Sequence, residues 1–312
     1  MAIPILSSNI KHLLILFLII ALPAYSKSSA YRLKIMGLGD IMTHISLLET
    51  IHHPSKGYDF NDIFKMVRPL ISKADLVIAN LETVMAGDSL GITGYPEFNS
   101  PQILAANLKN AGIDVLTTAN NHSFDRGVKG LKNTIKLLDS LGIHHTGTHI
   151  DTSVSSRSLV LKVKNLKIGI ISYCYGINGD LSARISKHIN IIDTLSIQNE
   201  ISYLEKQNVD LIIASVHFGV ENRSQPDKSQ ISLVRFLQRN GVSIVLGHHP
   251  HVLQPYMFDS TANFFVIFSL GNFLSSQKSF NREFGGIADL VIRKTPHDKK
   301  ACIESARIIP TT

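Results

Sequence analysis

The 312-residue sequence has no tryptophan, only two cysteines and few aromatic residues. Cys174 and Cys302 fall in separate predicted strands, and although export would allow them to pair, we expect two buried free thiols. Aromatic residues make up 7% of the chain and its lysines and arginines are scattered, so a nucleic-acid partner is not predicted. Charged residues at 18% and hydrophobic residues at 44% argue against disorder and allow a large core.

Two common catalytic signatures are not expected to operate in this chain. No strand-to-helix turn carrying a serine nucleophile elbow is predicted, and no glycine-rich loop that would cradle a phosphate opens a predicted helix. The sequence also has no solenoid period and no low-complexity tract. Residues 27–312 are therefore expected to form one domain. Its formal net charge of +7 predicts a diffuse positive surface with a mild attraction for polyanions.

Residues 1–26 have the pattern of a cleavable secretory signal peptide. Basic residues precede an apolar run over residues 13–22, Pro23 ends the run, and the small residues Ala24 and Ser26 occupy the positions that a signal peptidase reads. The run is short for a transmembrane span of about 20 residues, and no cysteine follows it for a lipid anchor. We expect export to the periplasm or cell surface, cleavage after Ser26, and membrane attachment only if the segment stays uncleaved.

Apolar runs, helical periodicity and glycine stops alternate along the rest of the chain. Helices are predicted over residues 61–73, 101–111, 128–141, 194–207 and 230–240. Strands are predicted over residues 31–40, 75–82, 114–119, 159–163, 166–173, 210–217, 244–246, 264–270, 287–293 and 301–309, the last two as edge strands. Residues 176–190 are interpreted as an insertion or lid. The alternation favours an α/β fold with a mainly parallel sheet covered on both faces.

Polar side chains collect at the ends of the predicted strands, where an open α/β sheet builds its sites. Carboxylates, amide oxygens and imidazoles in this number match one or two divalent ions such as zinc, manganese or iron. Such ions would polarise a substrate oxygen and supply hydroxide near neutral pH. The candidates are Asp40, Asn80, Glu82, Asn121, His122, His217, Glu221, His249 and His251.

Four residues near these candidates are assigned other roles. His122 is interpreted as a proton donor to a leaving group rather than a ligand. Glu221 is a candidate catalytic residue that would orient a histidine, carry a proton or lie in water, and these alternatives stay open. Asp125 is expected to support the site and Asn272 to hold a loop beside it. His248, next to the paired histidines, is not expected to be a ligand.

These strand-end motifs resemble, in order, the motif series of the CapA family of bacterial capsule-synthesis proteins, over about residues 34–292. The motifs are Gly39-Asp40-Ile-Met, Asn80-Leu-Glu82-Thr, Ala119-Asn-Asn-His122-Ser-Phe-Asp125-Arg-Gly127, Val216-His217-Phe-Gly219-Val-Glu221, Gly247-His-His249-Pro-His251-Val-Leu-Gln254-Pro and Ser269-Leu-Gly-Asn272-Phe273. That family is associated with poly-γ-glutamate and belongs to the calcineurin-like metallophosphoesterase superfamily. The resemblance implies a metallophosphatase-like layered α/β/β/α sandwich rather than a single doubly wound sheet.

The resemblance also implies roles for the candidates. Asp40 would bind one metal, Asn121 and His217 the other, His249 and His251 would be the superfamily's paired histidines, and His122 would be the acid. The implied partners are an anionic surface polymer or its precursor, with an envelope synthesis or export complex as a further possibility.

Two positions depart from the phosphoesterase pattern. Met42 stands where the first motif has a histidine, and Asn80 stands where a bridging aspartate is expected. Because a neutral amide bridges two cations poorly, either Glu82 takes the bridge or the second metal is held weakly. The sequence therefore supports two hypotheses: an exported metal-dependent hydrolase of phosphate esters or amides, and a non-catalytic polymer-binding or scaffold protein.

Overall fold

The structure, a computed structural model, describes residues 30–153, 156–182, 185–279 and 281–312. The signal peptide predicted over residues 1–26 lies outside this part of the chain. Within the described ranges, no helix combines the length and the apolar character needed to cross a membrane.

Short helices and many strands make up the described residues. The helices are α1 (Ile45–Ile51), α2 (Asn61–Phe64), α3 (Arg68–Ile71), α4 (Ile103–Ala111), α5 (Gly127–Leu141), α6 (Thr194–Lys206) and α7 (Lys228–Arg239). The strands are β1 (Tyr31–Ile41), β2 (His52–His53), β3 (Gly57–Tyr58), β4 (Leu76–Leu81), β5 (Val115–Thr117), β6 (His144–Thr146), β7 (Leu159–Val163), β8 (Leu166–Cys174), β9 (Leu211–His217), β10 (Ile244–His248), β11 (Tyr256–Asp259), β12 (Phe264–Ile267), β13 (Asn272–Leu274), β14 (Gly285–Lys294) and β15 (Cys302–Thr311).

The strands form two large sheets rather than one. In the first sheet the order is β15-β14-β1-β4-β5-β6, with β13 also paired to β1, and in the second it is β11-β12-β10-β9-β8-β7. Strands β1, β4, β5 and β6 are parallel, as are β8, β9, β10 and β12. The chain leaves the first sheet after β6 and enters the second through the hairpin β7–β8. The alternating pattern of residues 159–163 and 166–173 around Lys164-Asn165 predicts this hairpin, and the antiparallel pairing confirms it.

The two sheets pack face to face over an apolar core. Ile35 and Ile78 from the first sheet meet Ile213 and Leu246 from the second, and all are almost fully buried. Helices α1 to α4 cover the outer face of the first sheet, and α6 and α7 cover that of the second. This is the α/β/β/α sandwich that the resemblance implied. The single sheet expected from the alternation of strands and helices is wrong, because alternation does not determine which strands pair.

Several local predictions are confirmed and three are wrong. Helices α4 and α5 end at Gly112 and Gly142 in the left-handed conformation, as predicted. The helix predicted over residues 61–73 is instead the two helices α2 and α3, because Pro69 starts a new helix and cannot continue an old one. Strand β14 is not an edge strand, since β1 and β15 pair with its two sides.

The third wrong prediction concerns the start of α4. The pair Ser100-Pro101 predicts a helix that starts there with Ser100 as its cap, but the helix begins at Ile103 and Ser100 does not cap it. Its buried hydroxyl lies 2.5 Å from Thr43 Oγ1 and 2.8 Å from Thr83 Oγ1. These hydroxyl contacts tie the loop before α4 to the ends of β1 and β4, close to the candidate site.

Residues 87–91 spell Gly-x-Ser-x-Gly, but they do not form a nucleophile elbow. Asp88–Leu90 is a short 3₁₀ turn within a loop, and Ser89 is exposed. A nucleophile elbow requires a strand before the serine and a helix after it. The structure therefore gives this serine no catalytic setting.

Gly39 is expected to tolerate no side chain, because β1 runs close to the backbone that precedes β13. A Cβ atom at Gly39 would lie 2.1 Å from the carbonyl oxygen of Gly271, which cannot move like a flexible side chain. We expect Gly39→Ala to lower the free energy of unfolding by about 3 kcal/mol, measured by denaturant titration. Gly176→Ala is the control, since a Cβ there meets nothing within 4 Å. Equal stability of the two variants would contradict this packing.

Candidate metal centre

The ends of the parallel strands from both sheets bring the predicted residues together. In the first sheet Asp40 pairs in register with Asn80 on β4 and Asn272 on β13. In the second sheet His217, the last residue of β9, pairs with His248, the last residue of β10. Because the carboxyl ends of these strands meet at one edge of the sandwich, their final side chains share one buried volume.

Two groups of potential metal ligands share Glu82. One consists of Asp40, Glu82 and His217, and the other of Glu82, His249 and His251, with the ligand atoms of each group within 4.8 Å of one another. Glu82 Oε1 lies 3.5 Å from His217 Nε2 and 3.6 Å from His251 Nε2. The arrangement gives Glu82 the position of a carboxylate between two sites.

The buried polar atoms of this cluster fit a bound divalent cation. Among the described residues, neither carboxylate oxygen of Glu82 has a hydrogen-bond partner, nor does His249 Nδ1. Leaving a carboxylate buried and unpaired costs several kcal/mol. A set of carboxylate oxygens and imidazole nitrogens is the donor set that zinc, manganese and iron accept. The residues present therefore fit such an ion, with Glu82 as its least satisfied ligand.

Burial and neighbouring charges set the protonation of the cluster. Burial raises the pKa of Glu82 well above its usual value, and the charges of Asp40, Glu221 and Asp125 add to this. Burial would also raise the pKa of Asp40, but the adjacent His248 and His251 outweigh it and hold that pKa well below its usual value.

The imidazoles of His217 and His249 are kept neutral. Burial, with the neighbouring His249, lowers the pKa of His217 well below its usual value. Burial, with the neighbouring His251, lowers the pKa of His249 to about 4. Neutral imidazoles have a lone pair available for a metal at neutral pH.

The backbone around the paired histidines is strained. His249 and His251 have φ angles of 96° and 58°, in the left-handed region that side chains seldom adopt. Each such residue costs about 1–3 kcal/mol and is usually found at functional sites. The backbone N–H of His249 donates to Asp40 Oδ2 at 3.2 Å, and His251 Nδ1 lies 3.1 Å from Asn272 Oδ1. The predicted supporting role of Asn272 agrees with this contact.

Two asparagines of the predicted set hold other site residues in place. Asn80 Nδ2 donates to Asp40 Oδ1 at 2.8 Å, while its oxygen accepts from Asn120 at 3.3 Å. In this orientation Asn80 presents an amide nitrogen, which does not bind a cation, to Asp40. Asn121 Oδ1 lies 2.8 Å from His217 Nε2. Glu82, rather than Asn80, is therefore the side chain placed to bridge two metal sites.

His122 lies beside the cluster with its ring held by a carboxylate. Its Nδ1 is 2.7 Å from Asp125 Oδ2, which also accepts from the backbone N–H of Phe98 at 2.6 Å. The Phe98 ring packs edge-on against the imidazole, with the ring centroids 4.7 Å apart. Asp125 and Phe98 thus fix the ring, and Nε2, which has only the 3.5 Å contact with Asn178 Nδ2 in the described part of the chain, is the nitrogen positioned for a substrate.

The sequence did not point to four further residues around the cluster. Tyr175 packs over His217 and His249 with centroid separations of 6.3 and 4.8 Å. Asn178, within the segment interpreted as an insertion or lid, donates from its backbone to Asn121 O at 2.9 Å and brings its Nδ2 to 3.3 Å from His122 Nδ1.

His44 and His248 complete this set. His44 packs edge-on against Phe98 with centroids 5.2 Å apart. His248 Nδ1 lies 3.1 Å from Asp40 Oδ1, without the alignment of a hydrogen bond. The pairing of His248 with His217 between β10 and β9 is the feature that would have placed His248 at the centre. Glu221, a predicted catalytic residue, is exposed after β9 and influences Glu82 only through its charge.

The fold is that of the calcineurin-like metallophosphoesterases. A phosphatase from Mycoplasma pneumoniae is similar over 90% of this chain and 94% of its own, with a TM-score of 0.55 and 18% identity. The calcineurin-like phosphoesterase YfkN from Bacillus subtilis is similar over 91% of each chain, with a TM-score of 0.54 and 15% identity. At these identities the likeness establishes the fold alone.

Comparison with protein families assigns the chain more narrowly than its fold does. The family model for the bacterial capsule synthesis protein PGA_cap matches residues 34–277, and the chain belongs to that family, as its motifs predicted. The capsule biosynthesis protein CapA of Bacillus anthracis is 27% identical over 257 residues, covering 79% of this chain and 60% of that protein. The PGA biosynthesis protein CapA of Bacillus subtilis (strain 168) is 28% identical over 235 residues, covering 71% and 58%. The chain thus spans about three fifths of the length of these relatives.

Metal binding is expected to release a proton from Glu82. Because burial raises the pKa of this carboxyl group well above its usual value, a cation that binds the carboxylate displaces a proton at any pH below that raised pKa. The affinity for Mn²⁺ should then rise with pH, about tenfold per unit while Glu82 is protonated. Calorimetry in two buffers of different ionisation enthalpy counts the protons released.

The matched variant for this experiment is Glu82→Gln, which should remove both the proton release and most of the affinity. His249 should release no proton above about pH 5, because its pKa is already lowered to about 4. Mn²⁺ binding that is independent of pH would contradict the protonation assigned to Glu82.

Proposed function

We propose that the protein is a metal-dependent hydrolase acting in the synthesis or processing of a capsule polymer, such as poly-γ-glutamate or its precursor. The observation that carries the proposal is Glu82, a fully buried carboxyl group that belongs to both groups of histidine and carboxylate ligands and whose two oxygens have no hydrogen-bond partner in the described part of the chain. The names of the relatives, capsule biosynthesis and PGA biosynthesis proteins, support the biological setting.

The ligands proposed for one or two manganese, iron or zinc ions are the buried side chains at the strand ends. When bound, such an ion supplies Lewis-acid polarisation of a substrate oxygen and lowers the pKa of water. The residues proposed to hold it are Asp40, Glu82, Asn121, His217, His249 and His251.

The chain itself supplies proton transfer, orientation and exclusion of water. His122 gives a proton from Nε2 to the leaving group, while Asp125 at Nδ1 keeps the ring in one orientation. Asn121 orients His217 at 2.8 Å. The half-exposed ring of Tyr175 covers His217 and His249 and limits the access of water to them.

A second candidate function is non-catalytic binding or scaffolding of the polymer within an envelope complex. Two observations favour it: the buried thioether of Met42 stands where the phosphoesterases have a ligand, and Asn80 donates a hydrogen bond to Asp40 instead of bridging. A purely structural metal site would not require His122, so this residue separates the two functions.

Replacing His122 by Gln should remove catalysis without removing metal. We expect kcat to fall about 10²- to 10⁴-fold on a phosphomonoester, phosphodiester or γ-glutamyl amide that the wild type hydrolyses, because the leaving group loses its proton donor. Metal content should stay unchanged. His53→Gln is the matched control, since His53 is exposed and outside the cluster. An unchanged kcat in the His122 variant would contradict its role as proton donor. A wild type that hydrolyses none of these compounds, with polymer formation intact in the His122 variant, would favour the scaffold function.

We also propose that the protein is exported, with an envelope complex and an anionic polymer as its partners. The proposal rests on the apolar run over residues 13–22 and the small residues at Ala24 and Ser26. N-terminal sequencing of protein from the native cell should give a mature chain that starts at Lys27. Full-length protein recovered from the cytosol would contradict export.

A further inference from the structure

An apolar groove lies beside the metal centre, between the helices α1 to α3 and the first sheet. Its volume is about 530 Å³, within the range of about 300–1,000 Å³ that is typical of ligand sites. Apolar side chains come from both sides, and polar residues such as Gln277 and Thr311 line the rest of the groove. The apolar residues include Phe64, Val67, Leu70, Phe273 and Ile309.

The break between α2 and α3 places a large apolar side chain at the rim of this groove. Met66 lies in the turn between the two helices and is 88% exposed. An exposed methionine at the rim of such a groove is typical of a surface that binds an apolar ligand.

Asn272 connects the groove with the metal centre. Its side chain lines the groove, its Oδ1 lies 3.1 Å from His251 Nδ1, and its Nδ2 donates to the carbonyl oxygen of Arg282 at 3.1 Å. A ligand in the groove therefore has one end next to a proposed metal ligand.

Arg282 brings a positive charge to that end of the groove. Its Nε donates to Ser279 Oγ at 2.8 Å, and its terminal nitrogens have no hydrogen-bond partner among the described residues. Glu283 also lines the groove but is exposed and forms no ion pair with Arg282 in the described part of the chain. Burial lowers the pKa of His44 to about 4, and the charges of His251, His122 and Arg282 add to this.

We propose that the groove binds the hydrocarbon chain of an amphiphile whose phosphate end is held by Arg282 next to the metal centre. A guanidinium fork matches phosphate geometry, and one cation at the end of apolar walls fits one anionic group on an apolar chain. A polymer with a carboxylate on every repeat would instead bury unpaired charges against Phe64 and Phe273. The hydrolysis of this phosphate rests on the proposed function, whereas its binding does not.

The experiment is calorimetric titration of the metal-loaded protein with octyl phosphate, inorganic phosphate, octanol and a γ-linked glutamate oligomer. We expect octyl phosphate to bind at least tenfold more tightly than inorganic phosphate or octanol, because only it engages both Arg282 and the walls. Arg282→Gln should lower the affinity for octyl phosphate about tenfold. Met66→Asp should lower it to a similar extent, because it places a negative charge at the rim of the groove.

Each variant has a matched control on the opposite side of the sandwich. The controls are Arg235→Gln on α7 and Met257→Asp on the edge strand β11, and both residues are exposed. Neither substitution should change the affinity for octyl phosphate. Equal binding of octyl phosphate by wild type and Arg282→Gln, or tighter binding of the glutamate oligomer, would overturn the proposal. Tight binding of octyl phosphate without its hydrolysis would uphold the groove while counting against the hydrolase, so the two failures are distinguishable.

Discussion

The burial of two carboxylates where the two sheets meet is the constraint on which the site depends. Asp40 is balanced by Asn80, by the backbone of His249 and by neighbouring imidazoles, whereas Glu82 has no hydrogen-bond donor among the described residues. Because water does not reach a carboxyl group at this depth, burial raises the pKa of Glu82 well above its usual value. A divalent cation would stabilise the ionised carboxylate, with the neutral imidazoles of His217 and His249 beside it.

The layered fold makes the metal centre inseparable from the packing of the two sheets. The first sheet contributes Asp40 and Glu82 and the second contributes His217, so a shift of one sheet against the other would pull the ligands apart. The apolar core between the sheets fixes this distance. Close backbone contacts, such as that of Gly39 with Gly271, fix the position of the strand ends that carry the ligands. The backbone strain at His249 and His251 is tolerated because the packed sheets hold these residues in place.

The sequence predicted the longer helices and strands but missed α1 and the short strands β2, β3, β6, β11 and β13. It predicted most of the site because parallel strands place their last residues at one edge. Glycine stops also located the ends of α4 and α5. The division into two sheets came only from the family resemblance, because strand pairing is a long-range property that local patterns do not contain. Likewise, Tyr175 and Asn178 become neighbours of the site only when the segment after β8 folds over it. Met66 lies at the groove in the turn between α2 and α3, where Pro69 divides a region whose periodicity resembled one helix.

The most direct test of a metal centre built around Glu82 is the transition-metal content of the purified protein by elemental analysis. Wild type and Glu82→Gln would be measured side by side after incubation with manganese, iron or zinc and removal of free metal, with circular dichroism to establish that both are folded. A centre of this kind predicts at least one equivalent per chain in the wild type and its loss in the folded variant. A wild type that retains no transition metal, or a variant that retains as much, would contradict it.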